Sequence, residues 1–176
     1  MTDSPDGPND DGSGSSDRNG TPSRENERRS RRETDTRLRE VVTARGHEHV
    51  TANHGSTFEV TTDDFLTPAG DCILAIGADR APAEFDPDFV EACQDENATI
   101  TITVETDERS QSVRGRGHPD LEFSNDRSAV GRTSTYVDDR TVVIDAEFAA
   151  DGFDRDLIAE LADGADVRVT FEVERP

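Results

Sequence analysis

Asp71-Cys72-Ile73-Leu74-Ala75-Ile76-Gly77-Ala78-Asp79-Arg80-Ala81 returns 68 residues later as Asp139-Arg140-Thr141-Val142-Val143-Ile144-Asp145-Ala146-Glu147-Phe148-Ala149. Each copy runs into a helix-start pattern, Phe85-Asp86-Pro87-Asp88-Phe89-Val90 and Phe153-Asp154-Arg155-Asp156-Leu157-Ile158. Upstream of each stands the same tripeptide, Arg45-Gly46-His47 and Arg116-Gly117-His118. A tandem repeat of this length predicts one pseudo-symmetric domain whose halves share a core. One unit of this size can hardly bury a core of its own, so the halves should fuse. The repeat names no substrate.

The segment from Cys72 to Ala78 is apolar at almost every position, as in a strand covered on both faces. Thr67-Pro68-Ala69-Gly70 before it reads as a turn, with Pro68 presetting φ. Asp86 suits a helix N-cap and Pro87 the first helical position, where its missing N–H costs nothing. Phe89, Val90 and Cys93 then form a buried stripe. Val50 and Ala52, then Phe58 and Val60, alternate with polar residues as in a half-buried strand, and Ile100, Ile102 and Val104 close the half in the same way. The second half repeats the steps. Leu121 and Phe123 open it, Val142, Ile144 and Ala146 mark its central strand, and Asp154 caps a helix with the stripe Leu157, Ile158 and Leu161. Gly164 suits a left-handed stop, and Val167, Val169, Phe171 and Val173 alternate in a last strand. Each unit reads strand, strand, helix, strand. The predicted fold is mainly β (a β-rich α+β class), a sandwich or barrel with two short helices and halves at about residues 42–106 and 113–175.

Forty acidic against nineteen basic residues give a net charge of −21, and all the basic residues are arginine. Interleaved with well-phased apolar strands, this acidity reads as a folded protein made for concentrated salt. At about 1 M salt the Debye length is ~3 Å, so surface carboxylates barely repel each other; in dilute buffer they should push the fold apart. The composition resembles that of salt-in halophilic archaea and implies a cytoplasm rich in potassium chloride. In such a setting global charge says little about partners. No apolar run approaches the roughly 20 residues of a membrane span, and no signal peptide is evident. Cys72 and Cys93, without CxxC spacing, read as reduced core thiols.

Residues 1–37 contain no hydrophobic residue after Met1 and read as a disordered polar tail, ahead of a folded part at 38–176. Arg28, Arg29, Arg31 and Arg32 admit a nucleic-acid arm. Against that, no aromatic residue interleaves the arginines and high salt screens phosphate attraction, so a solvated linker is the stronger reading.

Several residues are candidates for chemistry. The repeated Arg-Gly-His places a glycine before a strand, with Arg45, His47, Arg116 and His118 available for an anion or for acid–base work. The competing reading is that they satisfy backbone groups at a corner. His47, His49 and His54 lie close in sequence, but no spacing completes a metal set. Asp79 and Glu147 stand at equivalent ends of the central strands, Asp71 and Asp139 at their beginnings. Paired carboxylates can share a proton or bind a cation; an Asp79–Arg80 or Asp79–Arg45 ion pair is the plainer alternative. Without lysine there is no P-loop amine or Schiff base, and no motif names a cofactor.

Arg45-Gly46-His47, Leu66-Thr67-Pro68-Ala69-Gly70-Asp71-Cys72-Ile73, Ala78-Asp79-Arg80-Ala81, Gly115-Arg116-Gly117-His118-Pro119 and Asp139-Arg140-Thr141 resemble the archaeal family known as domain of unknown function 371. The resemblance runs from about Val42 to Val173 and implies a mainly β, jelly-roll-like fold, with no activity attached. The family tends to carry a basic residue where this chain has Phe148, while Arg80 keeps it in the first copy. The leading expectation is therefore a small cytoplasmic binding or accessory domain. Its polar groove, for a small ligand or protein partner, would lie near the pseudo-dyad. The alternatives are a small hydrolase or lyase using the same histidines with Asp79 or Glu147, or a structural subunit of a larger complex.

Overall fold

A computed structural model describes residues 37–176, the side chain of Arg37 excepted. The polar tail and its arginine arm lie outside the described residues. Eight strands form two four-stranded sheets. Sheet I has the order β1-β8-β4-β5, with β1 Arg37–Arg45, β4 Thr99–Glu105, β5 Ser110–Arg116 and β8 Asp166–Glu174. Sheet II has the order β3-β2-β6-β7, with β2 Thr57–Thr61, β3 Ile73–Ala75, β6 Ser128–Arg132 and β7 Thr141–Val143. Helices α1 Pro87–Cys93 and α2 Arg155–Ala162 complete the fold. The mainly β reading is borne out.

Exchanging β1–β4 with β5–β8 turns each sheet order into its own reverse. The axis of that exchange passes between Thr103 and Thr170 in sheet I and between Glu59 and Val130 in sheet II, each a directly opposed pair. Isolated bridges Arg45–Ile76 and Arg116–Ile144 then join the sheets at their outer edges, β1 to the end of β3 and β5 to the end of β7. Closure of this kind removes exposed sheet edges. Two pairs, β2/β3 and β6/β7, are parallel.

The helix signals act as the sequence predicts. The Asp86 carboxylate accepts from the Asp88 N–H at 2.8 Å, and Asp154 accepts from Asp156 at 2.8 Å. Gly164 ends α2 at φ +85°. Side chains of both halves form one core, in which Phe85, Phe89, Phe123 and Phe171 pack with ring centroids 5.2–6.0 Å apart.

Each half nevertheless has four strands rather than three. In β1 the inward alternation Leu38, Glu40, Val42, Ala44 is masked by a buried glutamate. In β5 only Val113 is a buried hydrophobe, and β6 is a short run of small residues without alternation. Conversely, Val50–Ala52 and Leu121–Phe123, expected as strands, are loops that drop apolar side chains into the core.

Candidate ligand-binding site

The two edge-to-edge seams hold most of the residues singled out in the sequence. At the first, the Arg45 N–H donates to Ile76 O at 2.9 Å and the Ile76 N–H returns to Arg45 O at 2.8 Å. The Asp79 N–H donates to Thr43 O, and the Asp79 carboxylate accepts the Thr43 N–H, both at 3.0 Å. At the second, Arg116 and Ile144 exchange the same bonds at 2.9 and 3.2 Å. The Glu147 N–H donates to Arg114 O at 2.9 Å, and its carboxylate accepts the Arg114 N–H at 3.4 Å. Asp79 and Glu147 are thus exposed seam fasteners, each extending the ladder by one side-chain bond. The expected Asp79–Arg80 and Asp79–Arg45 ion pairs do not form.

Each Arg-Gly-His corner closes a turn against the helix of the opposite half. A Cβ on Gly46 would stand 1.8 Å from Leu161 O in α2, and one on Gly117 2.2 Å from Cys93 O in α1. Only glycine permits that approach. His47 Nδ1 accepts the His49 N–H and His118 Nδ1 accepts the Asp120 N–H, both at 3.0 Å. A neutral ring bonded in this way carries its hydrogen on Nε2. His54 is engaged alike, its Nδ1 accepting from Thr57 N–H at 3.1 Å. Among the described residues no three ligating side chains gather as a metal set.

Asp71 and Asp139 tie down the loop before each central strand. Asp71 O accepts the Asn53 N–H at 3.0 Å, and Asp139 accepts the Asn125 N–H on its carbonyl at 3.2 Å and the Asn125 side-chain amide at 3.0 Å. Arg80 donates to the Glu40 carboxylate at 2.6 Å and to Glu84 O at 3.0 Å, with its guanidinium over Phe85. Glu40 in turn accepts the Asp86 N–H at 2.7 Å. Cys93 is buried, and Cys72 is half-buried beside Glu59, its Sγ 3.4 Å from the carboxylate. Burial and the Glu59 charge push the Cys72 thiol up to about 11, so it is protonated at neutral pH.

The corners do not share a cleft. β1 runs antiparallel to β5, and Arg45 stands opposite Asp166 at one end of β8 while Arg116 stands opposite Thr99, the partner of Glu174 at the other. At ~3.3 Å per residue along β8 and ~4.8 Å per strand across it, the corners are roughly 30 Å apart. A single groove at the pseudo-dyad, contacted by Arg45, His47, Arg116 and His118, is therefore not built.

What distinguishes the corners is their arginines. Arg116 Nε is ion-paired with Asp145, which has φ +50°. The equivalent residue in the first half is Gly77, at φ +61°. Arg45 lies over it, so a Cβ there would meet a guanidinium nitrogen at 2.5 Å. With no carboxylate at that position, Arg45 makes no ion pair among the described residues and lines a cavity of about 640 Å³ on the outer face of sheet I. Arg168, Glu105, Asp107 and Asp166 line it too. None of these four stood out in the sequence, because cross-strand register brings them together. Elsewhere Arg132 and Arg140 both pair with Asp138. Burial opposes the Asp138 carboxylate, but the Thr141 hydroxyl, Arg140 and Arg132 outweigh it and hold its pKa down at about 2.

A closed, mainly β two-sheet domain with an open, charged cavity at a seam is the class these features define. The chain belongs to the family described as domain of unknown function (DUF371), whose model matches residues 42–174. The uncharacterised protein MJ0206 of Methanocaldococcus jannaschii is 32% identical over 127 residues, 72% of this chain and 93% of that protein. Both seams fall inside the family match. No described helix is long and apolar enough to cross a membrane.

Proposed function

We propose that the chain is a small-molecule binding domain of a salt-rich cytoplasm, with its ligand seat in the cavity beneath Arg45. One observation carries this reading: the first seam leaves its arginine unpaired in a cavity, where the second neutralises the equivalent arginine with Asp145. A volume near 640 Å³ falls within the range of small-molecule sites. The hydrolase or lyase reading draws no such support. Asp79 and Glu147 fasten seams, and His47 and His118 hold turns.

The test is thermal unfolding of the full chain in about 2 M KCl, where surface repulsion is screened, against small carboxylates, phosphate, amines and amino acids. At least one compound should raise the melting temperature with concentration, as binding to the folded state requires. Gly77→Asp, which gives Arg45 the partner that Arg116 already has, should respond to none. Indifference of the wild type to every compound, or an undiminished response in Gly77→Asp, would sink the reading.

A further inference from the structure

The cavity carries both signs of charge and keeps them apart. Along β1 and β8, Arg39 stands opposite Glu172 and closes an ion pair at 2.9 Å. Arg45 stands opposite Asp166 on the same two strands and the same face, yet no ion pair forms. Its guanidinium lies over Gly77 instead, a place open only because glycine has no Cβ. Arg168, flanked in register by Thr43 and Glu105, is also unpaired among the described residues. Two free guanidiniums thus share one cavity with the three carboxylates of Glu105, Asp107 and Asp166, none of which makes an ion pair there.

This lining suits neither a simple anion nor a simple cation. An anion on the arginines would be repelled by three carboxylates, and a cation on the carboxylates by two guanidiniums. A molecule bearing both charges meets each wall with its complement. Arginine's planar fork binds a carboxylate through paired N–H bonds. A protonated primary amine offers three N–H donors to surrounding carboxylates. No aromatic residue lines the cavity, so a quaternary ammonium would find no aromatic cage. Given that the cavity is a ligand seat, as proposed above, we infer that its ligand is a small zwitterion with a primary ammonium and a carboxylate, of the free amino-acid type. The carboxylate faces Arg45 and Arg168, and the ammonium faces Asp166, Glu105 and Asp107.

Amide chemical shifts of the ¹⁵N-labelled full chain in about 2 M KCl provide the test, read at Thr43, Gly77, Asp107 and Asp166. The probes are glycine, β-alanine and γ-aminobutyrate, with acetate, ethylammonium and glycine betaine as controls. At least one amino carboxylate should shift these amides saturably, with acetate, ethylammonium and betaine roughly tenfold weaker or worse. Arg168→Ala and Asp166→Asn, checked for unchanged shifts far from the cavity, should each weaken that probe about tenfold. Acetate binding as well as the amino acids would overturn the zwitterion while leaving the seat in place. Betaine matching them would overturn the primary amine. If no probe moved the cavity amides, the inference would fall, and a compound that stabilises the wild type but not Gly77→Asp would show that the seat itself survives.

Discussion

The two seams share their backbone bonds and differ in what stands beside them. In the second, Asp145 sits in a left-handed conformation and pairs with Arg116; in the first, Gly77 takes the same conformation and leaves Arg45 bare. Glycine adopts that region freely, and aspartate is among the few side chains that visit it without much strain. One position can therefore trade a surface ion pair for an open guanidinium while the strands stay put. A second trade lies behind the helix starts. Glu40, Arg80 and Glu84 of the first half stand where the second has Gln111, Phe148 and Gly152. Gln111 accepts the Asp154 N–H at 2.7 Å, as Glu40 accepts that of Asp86, and its amide lies 3.4 Å from Gly152 O, as Arg80 reaches Glu84 O. Gly152 makes room for the Phe148 side chain, whose Cβ an added Cβ would meet at 2.4 Å and whose ring at 2.7 Å. The halves thus keep their hydrogen-bond geometry and exchange the charges.

The most damaging way to probe that shared geometry is at the corner glycines. Gly46→Ala and Gly117→Ala each force a Cβ into a backbone oxygen of the opposite helix, and neither backbone can swing aside as a side chain can. Each should cost about 3 kcal/mol in chemical denaturation, the upper end for overpacking. One corner tolerating alanine while the other fails would show that the two are not built alike.

A smaller loss tests the exchanged charges. Glu40 is 7% exposed, and Arg80→Ala would leave its carboxylate without a cation. Removing one partner of a fully buried pair costs 3–5 kcal/mol; with the Arg80 side chain 33% exposed, about 2 kcal/mol is expected. In the Arg80→Ala background, Glu40→Gln should restore part of that loss, since glutamine can still accept the Asp86 N–H as Gln111 accepts that of Asp154. A double mutant less stable than Arg80→Ala alone would mean that the charge itself, rather than the bond to Asp86, holds the helix start.

What could be read beforehand follows from how local each signal is. Asp86 and Asp154 announced their helices because a cap is a contact over two residues. The closing strands showed themselves through strict alternation. β1, β5 and β6 did not, because a buried Glu40, a strand with one apolar anchor and a run of small residues owe their extended form to their neighbours. Val50–Ala52 and Leu121–Phe123 look like strands by apolar content alone. In fact Ala52 and Phe123 adopt φ of +48° and +50°, which ends any strand. The cavity was half visible. Arg45 stood out through its tripeptide, and the decisive Gly77/Asp145 difference lies within the repeat itself. Its meaning depended on Arg45 and Gly77 facing each other across a seam. Arg168, Glu105 and Asp166 meet only through strand order, which no local pattern encodes.

The smallest expected effect separates the arginine from its surroundings. Asp145→Gly would give the second seam the residue of the first and free Arg116. The Arg116 and Asp145 side chains are 40% and 41% exposed. The pair should therefore contribute under about 1 kcal/mol, partly offset by glycine's ease at positive φ. Denaturation midpoints should barely move. The variant should also gain no affinity for an amino carboxylate that binds the first seam. In register the place equivalent to Asp166 holds Thr99, and the place equivalent to Arg168 holds Thr101, so a freed Arg116 would have no carboxylate directly opposite it across the strands. If Asp145→Gly nonetheless acquired a second binding event of equal strength, an unpaired seam arginine would be sufficient by itself, and the two-sided lining of the first cavity would be incidental to recognition.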